Sequence, residues 1–111
     1  MIFVALMAAS GPIAGYSGAL AYKRCVVDAA VSLDDRQADP LILVQMAEAA
    51  CRKEQVAMQS ESRAEAADEL PGANKQQLLL RSIEAARGTT LAVRKLAILR
   101  VQYSRNAHAQ K

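Results

Sequence analysis

The first 22 residues carry no Asp, Glu, Lys, Arg or His, and Lys23 and Arg24 end this uncharged run. As a helix the run is about 31 Å long, close to the thickness of a bilayer's hydrocarbon core. Tyr16 and Tyr22 lie towards its charged end, where aromatic rings favour the membrane interface. The run therefore predicts a single membrane-spanning helix with its boundary at Tyr22, Lys23 and Arg24.

Two other interpretations of residues 1–22 stay open. Ala19-Leu20-Ala21 fits the small-x-small pattern of a signal-peptide cleavage site, although no Lys or Arg precedes the apolar run. The abundance of small residues also fits a helix buried between the protomers of a soluble or virion-associated, phage-like structural subunit. If the run spans a membrane, Lys23 and Arg24 predict that the C-terminal part faces the cytoplasm.

Small residues in the uncharged run recur at helical spacing. Gly11 and Gly15 form a Gly-x-x-x-Gly pair, and Ala14 and Gly18 repeat the spacing one step round the helix. Residues four apart share a helix face, so two helices could approach closely there. These four residues are predicted to form a helix-packing face in a homo-oligomer, and Pro12 predicts a kink one turn upstream.

The remaining chain has the pattern of an all-α protein, in which a hydrophobic N-terminal helix precedes a long antiparallel helical hairpin. The first helix and its flank occupy residues 1–33, and residues 34–39 form a polar connection. Asp39-Pro40 is a typical helix start, and Pro71-Gly72 is the clearest break. We expect a hairpin over residues 40–107 with its turn at 70–74, formed by helices at 40–69 and about 75–105, and a loose tail at 108–111.

Apolar residues of the last helix follow alternating spacings of four and three, which is typical of a packed helix pair. They begin at Leu79 and widen towards the C-terminus, while Gly88-Thr89-Thr90 predicts a bend or local fraying. The predicted partner-binding residues are Leu79, Ile83, Val93, Leu96, Leu99 and Tyr103.

Charge is sorted along the chain. Residues 34–69 hold nine acidic and four basic side chains, whereas residues 70–111 hold eight basic and one acidic side chain. This sorting predicts an acidic helix beside a basic one. The basic face formed by Arg87, Arg94, Lys95 and Arg105 also admits contact with nucleic acid or anionic lipid. Because aromatic platforms and DNA-binding motifs are absent from the sequence, a solvated face is the preferred interpretation.

The two cysteines, Cys25 and Cys51, form no C-x-x-C motif, so a zinc or redox site is not expected. Two unpaired thiols are the preferred interpretation, and a disulfide is the alternative in an oxidising compartment. The single histidine, His108, lies near the C-terminus, and no nucleophile has an evident partner. The sequence therefore predicts no enzyme, no catalytic or metal site and no cofactor.

No specific motif carries a resemblance to a family. The pattern predicts a non-enzymatic structural or assembly protein that is anchored to a membrane by its first helix and contacts protein partners, including copies of itself, through the hairpin. The alternatives are the soluble or virion-associated subunit and a basic-helix nucleic-acid binder.

Overall fold

The computed structural model describes the backbone of residues 2–109 and the side chains of residues 17–109. Over these residues the chain forms four helices and no strand: α1 (Ile2–Leu33), α2 (Pro40–Ala50), α3 (Arg52–Glu69) and α4 (Lys75–Ala109). The all-helical class predicted from the sequence is confirmed. Gly11, Ala14 and Gly15 lie outside the described side chains, so their predicted packing face stays a prediction.

The connection between α1 and α2 is held by carboxylates that bind backbone amides. Asp35 accepts hydrogen bonds from the amides of Gln37 and Ala38. Asp39 caps α2 by accepting from the amide of Leu41, and Pro40 occupies the first helical position, where its missing amide hydrogen costs no hydrogen bond. The helix start that Asp39-Pro40 indicates is therefore present.

The single helix expected over residues 40–69 is divided in two at Cys51. The Cys51 amide donates to the carbonyls of both Ala47 and Glu48, and its φ of −105° and ψ of 33° depart from helical values. Its sulfur is bonded to Cys25 of α1. The sequence pattern missed this break because no Gly or Pro marks it.

A turn at residues 70–74 joins α3 to α4, as the sequence indicates. Gly72 has a φ of +82°, a conformation that favours glycine. The side chain of Asn74 accepts from the Gln77 amide, and the side chain of Gln77 accepts from the Asn74 amide, which is a capping box. From there α4 continues through Gly88 and on to Ala109. The fraying predicted at residues 88–90 is therefore absent, and residues 108 and 109, predicted to begin a loose tail, still belong to the helix.

The helices pack with α1 parallel to α4 and antiparallel to α2 and α3. Asp34, directly after the end of α1, meets Arg105, and Ala19, near the middle of α1, shares a recess with Thr89 of α4. All four helices contribute to one core, and α1 contacts each of the other three. The buried apolar residues are Tyr22, Val26, Ala30, Leu43, Val44, Ala47, Cys51, Met58, Ala66, Val93, Ala97 and Val101.

The core-facing side of α4 differs in part from the predicted seam. Val93 and Ala97 are buried, whereas Leu79 and Ile83, with which the predicted spacing begins, are exposed. Leu96, Leu99 and Tyr103 also point outward, and Val101, which the predicted seam omitted, is fully buried.

Candidate protein-interaction surfaces

Helix α4 carries a second apolar stripe, on the side that faces away from the core. Ala92, Leu96, Leu99 and Tyr103 are all exposed, and they recur at spacings of four, three and four residues. This is the heptad spacing of a helix that packs against another helix. We call these four residues the outer seam. Three of them, Leu96, Leu99 and Tyr103, were predicted to bind partners, and the structure leaves them accessible.

A groove lies between α3 and α4 near the turn. Its volume is about 520 Å³, and Leu79, Ile83 and Leu91 of α4 line it together with Gln59 and Arg63 of α3. Leu79 and Ile83 were also predicted to contact a partner. Val93 was predicted to do so as well, but it is 4% exposed and belongs to the core, so that prediction is wrong.

Two members of the predicted basic face are neutralised inside the chain. Arg94 pairs with Glu48 of α2 at 3.1 Å, and Arg105 pairs with Asp34 at 2.7 Å. Both carboxylates are largely buried. Arg87 and Lys95 are exposed and make no ion pair within the described residues. The basic face is therefore weaker than the sequence suggests.

Tyr22, predicted to mark a membrane boundary, lies instead in the centre of the core. Its side chain is fully buried, and its hydroxyl donates to Glu48 at 3.4 Å. Burial and the neighbouring Glu48 carboxylate both raise the pKa of the Tyr22 phenol. Lys23 is half-buried and Arg24 is exposed beside it. The folded domain therefore begins before the predicted boundary, which leaves residues 1–16 as the apolar stretch outside the described packing.

Gly18 lets α1 approach α3 closely at the start of the packed region. The carboxylate of Glu61 accepts hydrogen bonds from the Gly18 amide at 2.8 and 3.0 Å and from the Ser17 hydroxyl at 2.9 Å. A Cβ on Gly18 would lie 2.7 Å from Glu61 Oε2. Gly18 thus contributes to helix packing within one chain. The partner is a carboxylate on α3, which spacing in the N-terminal run could not reveal.

The cysteines form a disulfide between α1 and the junction of α2 and α3. The Cys25 and Cys51 Cα atoms are 5.9 Å apart, within the usual range for a disulfide. No other cysteine is present in the sequence. The preferred interpretation from sequence, two unpaired thiols, is therefore wrong. The sequence could not reveal the pair, because the packing of α1 on α2 and α3 brings the two residues together.

Metal-ligand clusters and candidate membrane-spanning helices are absent from the described residues. No group of three or more His, Cys, Asp or Glu side chains among them could hold a metal ion. Within the same residues, no helix combines the length and the hydrophobicity that a membrane crossing requires.

Comparison with known proteins gives no relative. No protein-family model matches the sequence, and no curated protein or solved structure is significantly similar to the chain. The surfaces described above are therefore the observations that bear on function.

Proposed function

We propose that the protein is a non-enzymatic structural protein that self-associates through the outer seam of α4 and is attached to a membrane by residues 1–16. The observation that carries the first part is the exposure of Leu96, Leu99 and Tyr103, which are 43%, 53% and 69% accessible. These side chains stand at heptad spacing on a helix that is already ordered by its own core. A second copy of the same seam would remove them from water.

The seam is large enough to matter energetically. Burying a fully exposed Leu side chain contributes about 1.5–3 kcal/mol. Leu96 and Leu99 are about half exposed, so covering each of them in a pair of α4 helices would contribute about half of that, and Tyr103 would add to it. Because α4 is folded before association, little backbone entropy opposes the contact. The symmetric arrangement expected of a homodimer brings the same stripe from both chains together.

Membrane attachment is supported by the composition of residues 1–16, which carry no charged side chain. As a helix they are about 24 Å long, several ångströms less than a typical hydrocarbon core. Thr89 of α4 lies level with Ala19 of α1. Because α4 begins 14 residues before Thr89, the α3–α4 hairpin projects about 21 Å beyond that level, on the side of residues 1–16. Insertion therefore requires residues 1–16 to diverge from the hairpin, since its tip carries Glu69, Lys75 and Arg81.

The disulfide indicates on which side of the membrane the folded domain lies. Lys23 and Arg24 predict a cytoplasmic C-terminal part, whereas a disulfide persists mainly in oxidising compartments. We give the disulfide more weight, since Lys23 and Arg24 belong to a helix that is packed into the domain. The proposed arrangement has the four-helix domain on the oxidising side of the membrane.

The second candidate is a soluble or virion-associated subunit whose residues 1–16 are buried between protomers. The outer seam favours it equally, because both candidates need self-association. The nucleic-acid interpretation is less favoured, since Glu48 and Asp34 occupy two of its four cations.

Sedimentation of the full-length protein in a non-ionic detergent tests self-association. We expect a discrete oligomer that Leu99→Asp dissociates. Leu80→Asp is the matched control, because Leu80 is similarly exposed at 58% and lies outside the seam. A monomeric wild type, or equal effects of both variants, would contradict the proposal. Carbonate and detergent fractionation then separates the candidates: extraction by detergent alone supports attachment, and recovery as a soluble oligomer supports the second.

A further inference from the structure

The groove between α3 and α4 has the shape of a helix-binding site. Ser82 and Ala86 form its floor, and Leu79, Ile83 and Leu91 of α4 line it. The floor residues are small, with Ser82 buried and Ala86 half-buried, whereas the three large side chains remain about half exposed. Small residues between larger ones let a second helix approach closely, as in ridge-into-groove packing.

The length of the groove fits a short helix. Leu79, Ile83 and Leu91 share one side of α4 at intervals of four and eight residues, and they span about 18 Å along its axis. That distance corresponds to about three helical turns of a partner. Amphipathic helices bind such grooves through apolar residues spaced one turn apart.

Charge identifies the kind of helix that fits. Arg63 of α3 and Arg87 of α4 line the groove, and both are exposed. Neither makes an ion pair with another described residue, whereas Arg94 at the far end is already bound by Glu48. The groove thus offers two available cations beside an apolar surface, and carboxylates on a partner would complement them.

We propose that this groove binds an amphipathic helix of another protein whose apolar stripe is flanked by Asp or Glu. Its apolar side chains lie against Leu79, Ile83 and Leu91, and its carboxylates pair with Arg63 and Arg87. This site lies on a different part of α4 from the outer seam, and it does not depend on self-association.

A pair of synthetic peptides tests the proposal. Both are about 18 residues long, or five helical turns, and carry the same Leu stripe. One has Glu and the other Lys at the flanking positions. Each is labelled and titrated with the full-length protein in non-ionic detergent, and binding is followed by fluorescence anisotropy after subtraction of the signal from protein-free micelles. We expect the Glu peptide to bind about threefold to tenfold more tightly, since each exposed ion pair adds only a small factor.

Charge reversal makes the test specific. In Arg63→Glu/Arg87→Glu the preference should invert in favour of the Lys peptide. Arg52→Glu changes an exposed cation of α3 outside the groove and should leave the preference unchanged. Ile83→Ser should weaken both peptides, and circular dichroism checks that every variant remains folded. Equal binding of the two peptides to wild type, or an unchanged preference in the double variant, would overturn the proposal.

Discussion

Arg105, near the end of α4, binds Asp34, the first residue after α1, although 71 positions separate them in the chain. Arg105 Nη2 lies 2.7 Å from Asp34 Oδ1 and also donates to the carbonyl of Ala38, while Nε donates to both carboxylate oxygens. The hydrogen bonds from Arg105 are the main reason that the pKa of Asp34 lies below its usual value, and the amide of Arg36 adds to the effect. This pair ties the end of α1 and the following connection to α4.

The first prediction concerns acid stability. Because the pKa of Asp34 is lowered in the folded state, the pair stabilises the domain above the ordinary Asp pKa of about 3.9, and this contribution is lost as the pH falls through the lowered value. Asp34→Asn should lower the free energy of unfolding at pH 7 by about 1–3 kcal/mol. It should also make that free energy fall less steeply as the pH is lowered into the acid range. Urea unfolding across a pH series measures both. Asp68→Asn, which changes an exposed residue of α3, is the control. If that variant reduced the pH dependence of the unfolding free energy equally, Asp34 would not be its cause.

The second prediction concerns the disulfide. The disulfide between Cys25 and Cys51 should stabilise the domain by about 3 kcal/mol, because it lowers the conformational entropy of the unfolded chain. A reductant should therefore lower the urea midpoint of the wild type and leave Cys25→Ala/Cys51→Ala unaffected. Thiol titration of the denatured, unreduced protein should detect no free cysteine. Two titratable thiols in protein recovered from an oxidising compartment would refute the pairing.

The third prediction separates the core of α4 from its outer seam. Val101 is fully buried and Leu96 is 43% exposed. Val101→Asp should cost about 3–5 kcal/mol of unfolding free energy because it leaves an unpaired charge in the core. Leu96→Asp should leave the helical content of the folded chain intact, because Leu96 lies on the side of α4 that faces away from the core. Thermal unfolding followed by circular dichroism compares the two, and equal losses would show that Leu96 is buried.

The fourth prediction concerns Gly18 and Glu61. A methyl group at position 18 would occupy the space of the Glu61 carboxylate, which is the mobile end of its side chain and can move away. Gly18→Ala should therefore cost about 1–2 kcal/mol through the lost hydrogen bonds. In the Glu61→Ala background the same substitution should be neutral or stabilising, since Ala favours a helix. A double-mutant cycle measures the coupling, and additive effects would mean that the contact contributes nothing.

The helices could be predicted from the sequence because their signals are local. Asp39-Pro40 and Pro71-Gly72 mark boundaries through capping and backbone restrictions, and both are present in the structure. The break at Cys51 has no such signal, since it accompanies a bond to a residue on another helix. Gly88 does not break α4, because an exposed glycine costs a long, well-packed helix only about 1 kcal/mol of stability relative to alanine.

The surfaces could be predicted only in part. Spacing identified Leu96, Leu99 and Tyr103 as one stripe, but it could not decide which of the two stripes on α4 faces the core. The positions of the other helices decide that, and they bury Val93, Ala97 and Val101. Likewise, the length of the uncharged run could not reveal that α1 is packed from Gly18 onward, because the contacts of Glu61 and Glu48 that hold it come from distant parts of the chain.

Crosslinking at the outer seam reports directly on self-association through α4. Both native cysteines are in the disulfide, so Leu99→Cys introduces a single free thiol near the middle of the seam. In a parallel pair of α4 helices the two 99 positions lie opposite each other, and in an antiparallel pair centred on the seam they are offset by only about 4.5 Å along the axis. Mild oxidation should therefore give a covalent dimer of Leu99→Cys in high yield and little dimer of Leu80→Cys, which is exposed outside the seam. Equal yields at the two positions, or no dimer at position 99, would contradict the account.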